Sequence, residues 1–130
     1  MQKQHHPRQI FEQVVARLKS GARAEAESLC REAISQDPGD VNFRALLGTI
    51  LAERNAFEEA EENLRHVIKV APGHARAHED LGTVLLNQSR ANEALPLLEK
   101  AVALMPKSAS AASKLAGALT ALGQTSAAEQ

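Results

Sequence analysis

His74 and His78 stand four residues apart, a spacing that on one helix brings two imidazoles to the same face and can hold a metal ion. No cysteine or third histidine lies close enough in sequence to complete such a site, and His74 falls in a turn. Capping or solvated histidines fit the pattern better, and no metal is expected. His5 and His6 belong to a polar tail. Cys30 is the lone cysteine, so it cannot form an intramolecular disulfide. It matches Leu64 and Leu98 in register, which marks it as a small core residue rather than a reactive thiol. The acidic run Glu58 to Glu62 reads as a solvated helix face. Glu27 with Arg31 and Glu61 with Arg65 form i,i+4 pairs, worth roughly 0.2–0.5 kcal/mol each. No glycine-rich phosphate loop, nucleophile elbow or paired-acid motif occurs. These residues point away from catalysis, and neither an enzyme nor a cofactor is expected.

Bulk properties narrow the partners. The 15 basic and 16 acidic residues leave a net charge of -1, so no global field draws in nucleic acid or a membrane surface. Three Phe with no Trp or Tyr offer few stacking platforms for bases. Nucleic acid and membrane partners are therefore not expected. Hydrophobic residues make up 44% of the chain, and many are the helix formers Ala and Leu. No apolar run reaches the roughly 18–20 residues that span a bilayer. The stretch Met1 to Pro7 is polar and lacks the apolar core of a secretory signal. A flexible tail over 1–6 and a cytoplasmic location are the expectations.

The elements that must position these side chains announce themselves by repetition. Pro38, Pro72 and Pro106 lie 34 residues apart, and Gly48, Thr49, Ala60 and Leu64 recur as Gly82, Thr83, Ala94 and Leu98. Turn-type residues keep the same step at Gly21, Asn55, Ser89 and Gly123. A fixed period of this length means stacked copies of one small unit, each burying its apolar face against its neighbours.

In the second copy, Asp40 is placed to cap a helix. Phe43, Leu46, Leu47, Ile50 and Leu51 then follow helical spacing. That helix should end near Arg54–Asn55, with Asn55 left-handed. A second helix is predicted from Phe57 to Val70, with Ala60, Leu64, Val67 and Ile68 inward and Glu58, Glu59, Glu61, Glu62, Arg65 and Lys69 outward. Gly48 costs roughly 1 kcal/mol against Ala in a helix, which a close neighbouring helix would explain; Ala60 is the predicted partner. Pro72 then turns the chain into the next unit. Pro96 lies inside the expected second helix of the third copy, so that helix is predicted to start late, near Glu93, with Pro96 in its first turn. Helices Ala109 to about Leu122 and a barely begun successor after Gly123 complete the pattern.

The spacing resembles the tetratricopeptide repeat, whose signature runs W-x2-L-G-x2-Y, A-x3-F, P. The second copy reads Arg44-x2-Leu47-Gly48-x2-Leu51, Ala60-x3-Leu64, Pro72, and the third reads His78-x2-Leu81-Gly82-x2-Leu85, Ala94-x3-Leu98, Pro106. Leucines replace the Tyr and Phe, while Arg44 and His78 replace the Trp. The resemblance implies an all-α, α-α superhelix over 7–130 with about seven helices plus a partial eighth. The repeats fall at about 7–40, 41–74 and 75–108, with a partial one at 109–130.

That family carries a concave groove lined by the first helix of each repeat, which implies a protein or peptide partner here. On this chain the groove would take Arg8, Phe11 and Val15, with Leu18 beyond them. Asn42, Ala45, Thr49 and Glu53 follow, then Arg76, Glu79, Thr83 and Asn87, and finally Ser110, Ser113 and Gly117. One subgroup grips the C-terminal carboxylate of chaperones with Lys, Asn, Asn, Lys and Arg. The matching positions are Phe11, Val15, Leu46, Arg76 and Asp80, so no such clamp is expected. A non-catalytic interaction scaffold is the leading expectation. The alternatives are the repeat region of a larger enzyme, such as a sulfotransferase or glycosyltransferase, and a homo-oligomer joined through the array ends, where Leu115, Leu119 and Leu122 are poorly covered.

Overall fold

The computed structural model describes residues 7–129, with side chains through Gly123; the expected tail over 1–6 lies outside the described residues. Among the described residues seven helices follow one another: α1 (Pro7–Lys19), α2 (Arg23–Gln36), α3 (Val41–Glu53), α4 (Phe57–Val70), α5 (Ala75–Asn87), α6 (Ala91–Leu104) and α7 (Ala109–Glu129). The limits of α3 and α4 are those the spacing predicts.

Two kinds of turn alternate, and each is written into the chain locally. Within a helix pair, Gly21, Asn55 and Ser89 take left-handed backbone angles of 85°, 63° and 61°. The next amide reaches back five residues in each case, Ala22 to Arg17 O at 2.8 Å, Ala56 to Leu51 O at 2.9 Å and Arg90 to Leu85 O at 2.8 Å. Such closures satisfy carbonyls that a helix end would otherwise leave bare. Between pairs, the proline turns deliver an N-cap every 34 residues. Asp40 accepts from the Asn42 amide, His74 from the Ala77 amide and Ser108 from the Ala111 amide. Three different side chains perform one task.

Packing within a pair depends on a bulk exchange. A Cβ on Gly48 would lie 2.6 Å from Leu64 Cδ2, and one on Gly82 would lie 2.5 Å from Leu98 Cδ2. The helices approach because a leucine fills the space over each glycine; the partner is Leu64, not the predicted Ala60. In the first pair the same two register positions are Val14 and Cys30, both fully buried, with the bulk moved to the first helix. Each helix packs on the next, and α3 also packs on α5 and α5 on α7. The even helices make no comparable contact with one another among the described residues. The odd helices therefore line the inner side of the curve.

Two expectations are corrected. The start of α6 is not delayed by Pro96: it begins at Ala91, and Pro96 lies inside it. The reason is the stripe Ala94, Leu98 and Ala101, fully buried, which needs the same helix phase as Ala60, Leu64 and Val67. The carbonyl that loses its hydrogen bond belongs to exposed Asn92, where water can replace it. Nor does the chain turn at Gly123, since α7 runs through to Glu129. Asn55 and Ser89 precede helices that bury a leucine-bearing stripe, whereas residues 124–129 carry only two alanines as apolar residues. Continuing an alanine-rich helix through one glycine costs about 1 kcal/mol, less than closing a turn with little to bury.

Candidate functional site

The inner side of α1, α3, α5 and α7 is apolar at one end and ionic at the other. At the α1 end, Phe11 is 37% exposed. Its ring meets the buried ring of Phe43 edge to face, with centroids 5.9 Å apart at 61°, a favoured geometry for two aromatic quadrupoles. Beside them lies a cavity of about 310 Å³ lined by Pro7, Arg8, Phe11, Asp40, Asn42 and Phe43. Val15 is half-buried, and half-buried Leu18 packs on the core.

Along the middle, Asn42, Glu53, Arg76 and Asn87 are exposed, whereas Ala45 is buried. Thr49 Oγ1 donates to Asp80 Oδ2, joining α3 to α5. Arg76 Nε donates to Asp80 Oδ1 at 3.0 Å, and the Asp80 charge raises the guanidinium pKa. The two charged residues at the clamp positions, Arg76 and Asp80, thus pair with each other.

At the far end, Glu79 is only 4% exposed. It accepts from Ser110 Oγ at 2.7 Å and from Lys114 Nζ at 2.8 Å, both on α7. Burial pushes its carboxyl up, but the bonds from Lys114 and Ser110 outweigh that and hold it below the usual carboxylate range. Thr83 is half-buried and donates to the Glu79 backbone carbonyl at 2.9 Å, while Ser113 and Gly117 are exposed. Glu79 and Asp80 are therefore internal ties between helices, with Arg76, Asn42, Glu53 and Asn87 left facing solvent.

The acidic run on α4 is more than a solvated face. Arg31 of α2 donates to Glu59 at 2.7 Å, and Arg90 donates to Glu61 at 2.7 Å. One repeat earlier, Arg54 donates to Glu27 at 2.8 Å, so the motif recurs. The predicted pairs Glu27–Arg31 and Glu61–Arg65 also form, at 3.0 and 2.9 Å. The Arg31 bond leads in lowering Glu59 and the Arg90 bond in lowering Glu61. Neighbouring repeats are stitched along this edge, each link individually weak because water reaches it.

The two histidines serve the start of α5. His74 Nδ1 accepts the Ala77 amide at 3.1 Å, and His78 Nδ1 donates to the His74 carbonyl at 2.9 Å. No group of three metal-ligating side chains is gathered among the described residues. Cys30 is fully buried, and burial, then Glu27, pushes its thiol up to about 12. No helix among the described residues is long and apolar enough to cross a membrane.

Sequence reasoning missed Lys114 and the cap Ser108, and it left His74 open between capping and solvation. The caps carried a signal, since both lie on the 34-residue step from Asp40. Lys114 carried none, because its partner is 35 residues away.

Comparison with known proteins places the fold. The Arabidopsis OM64 TPR domain superposes with a TM-score of 0.79 at 19% identity, covering 84% of this chain and 90% of that one. The second TPR domain of human RPAP3, solved with the HSP70 peptide SGPTIEEVD, gives 0.75 at 20% identity over 84% and 91%. A mutant Thermobaculum terrenum O-GlcNAc transferase gives 0.81 at 26% identity over 85% of this chain but 21% of the enzyme. No curated protein sequence gives a significant match. The family model for the tetratricopeptide repeat matches residues 17–83 and 85–130; with the 34-residue period, the helix pairs and the glycine–leucine seams, this chain belongs to the tetratricopeptide repeat family.

Proposed function

We propose that this protein is a non-catalytic interaction module that holds an extended peptide or a partner's helix against α1, α3, α5 and α7. The observation that carries the proposal is the half-open Phe11 ring on Phe43 beside a cavity of about 310 Å³. An apolar side chain of the partner anchors there, and Asn42, Glu53, Arg76 and Asn87 set its register by polar contacts. The peptide carried by the human RPAP3 domain supports a peptide as occupant. Affinity comes mainly from the apolar anchor, because Asp80 already answers the Arg76 charge.

The test is a peptide library screened against the wild type and the Phe11→Ala, Asn42→Ala and Arg76→Ala variants. Phe11→Ala should weaken a captured peptide about tenfold or more. Binding untouched by all three substitutions would sink the groove assignment.

A second reading, the array as the helical region of a larger enzyme, draws support from the likeness to the O-GlcNAc transferase. Reading the coding sequence beyond Gln130 discriminates, since a catalytic domain would carry motifs of its own. Self-association draws support from Leu119, 53% exposed on α7; a monomer mass at every concentration by light scattering would count against it.

A further inference from the structure

Exposed apolar side chains scattered singly are ordinary, but Val70 and Leu104 are paired by register. They are 55% and 36% exposed, and they end α4 and α6 at equivalent positions one repeat apart. Both stand on the rim where Pro72 and Pro106, themselves exposed, turn the chain into the next helix. Charge on that rim has one sign. Exposed Lys69 and Lys100 lie on the same two helices, and exposed Lys107 lies in the second turn. Among the described residues none of the three lysines forms an ion pair, whereas every arginine from Arg54 onward has a carboxylate partner. No Asp or Glu occurs over 63–78 or 100–123. The C-termini of α4 and α6 meet the N-termini of α5 and α7 at this rim, so the helix dipoles offset and the lysines set the sign.

The fold itself does not require this surface. The first repeat has Gln36 at the register of Val70 and Leu104, Glu32 at that of Lys100 and Gly39 at that of Lys107. A partner that uses both halves of the patch carries carboxylates for the lysines and apolar side chains for Val70 and Leu104. Nucleic acid would meet the lysines with its phosphates and leave the apolar pair unused. A membrane surface needs more than two large apolar side chains and a few lysines for stable anchoring. An acidic stretch of protein with interspersed apolar residues meets both demands.

We propose that the rim at the ends of α4 and α6 binds an acidic peptide segment of a partner protein, its carboxylates on Lys100 and Lys107 and its apolar side chains on Val70 and Leu104. The rim shares no residue with the groove positions, so either reading can fail alone. The probe is a capped, fluorescein-labelled peptide of repeated Glu-Leu-Asp, with two controls: Gln and Asn replacing the acids, and Ser replacing Leu. The acidic peptide should raise the anisotropy saturably, with affinity falling as salt rises. It should also shift the backbone amide NMR signals of Val70 and Leu104 in the wild type. Joint Lys100→Gln and Lys107→Gln substitution, at exposed positions, should weaken binding about tenfold. Equal binding by either control peptide, or no loss in the double variant, would overturn the proposal. So would shifts at Phe11 and Asn42 in place of Val70 and Leu104, or tighter binding to phosphatidylserine vesicles than to the peptide.

Discussion

Lys114 on α7 places its ammonium 2.8 Å from the carboxylate of Glu79 on α5, whose side chain is 5% exposed. Helix α7 has no following helix folded over it among the described residues, and Ala116, at the register position of Gly48 and Gly82, is exposed. With Ser110 on the same carboxylate and Ala111 and Ala118 buried, this ion pair fastens the last helix to the array.

Acid should loosen that fastening. The folded-state pKa of Glu79 is lowered, so its stabilising contribution is present above the ordinary carboxylate value of 4.5 and is lost as pH falls below it. Glu27, Glu59 and Glu61 carry shifts of the same sign. Thermal unfolding should therefore be flat near neutrality and decline below about pH 4.5. Glu79→Gln should lower stability at neutral pH by roughly 1–3 kcal/mol and make the acid decline shallower. An identical pH profile in that variant would contradict the assignment.

The glycine seam predicts opposite signs for two alanine substitutions. Gly48→Ala forces a Cβ to 2.6 Å from Leu64 Cδ2, and overpacking of this kind costs roughly 1–3 kcal/mol. Pairing Gly48→Val with Leu64→Cys copies the Val14 and Cys30 positions of the first repeat and should regain part of the loss. Gly117→Ala meets nothing within 4 Å and should stabilise by roughly 0.5–1 kcal/mol through helix propensity. Urea denaturation of the four proteins decides it.

Pro96→Ala should also stabilise, since it restores an amide for the Asn92 carbonyl inside α6. About 1–3 kcal/mol is the expected gain, reduced where water already serves that carbonyl. Calorimetry reads it directly; a lower melting temperature would show that Pro96 is matched to a local bend.

Cys30 should resist thiol reagents while the protein is folded. With its thiol pushed up to about 12 by burial, almost no thiolate exists at pH 8 and the sulfur is enclosed. Labelling by dithionitrobenzoate should be slow in buffer and prompt in denaturant. Fast labelling of the folded protein would refute the core position.

The limits of α3 and α4, the turns at Asn55 and Ser89 and the pairing pattern were legible because each is decided within a few residues. Asn55 and Ser89 need only their own left-handed backbone, and Asp40 needs only the amide two residues on. Of the positions expected to line the groove, Phe11, Asn42 and Arg76 are exposed, but Glu79 and Ala45 are buried. That difference depends on how far α7 and α3 rotate against α5, which one helix cannot specify.

The 34-residue period and its local caps determine, without further information, an all-helical array of stacked pairs. Only the tertiary structure decided that Leu64 rather than Ala60 fills the space over Gly48. It alone also brought Glu59 and Glu61 to arginines of neighbouring repeats and set Val70 and Leu104 on one exposed rim. The local features rest on hydrogen bonds spanning five residues or fewer, whereas the others join groups 16 to 29 residues apart or depend on several helices together, so they exist only once the helices have docked.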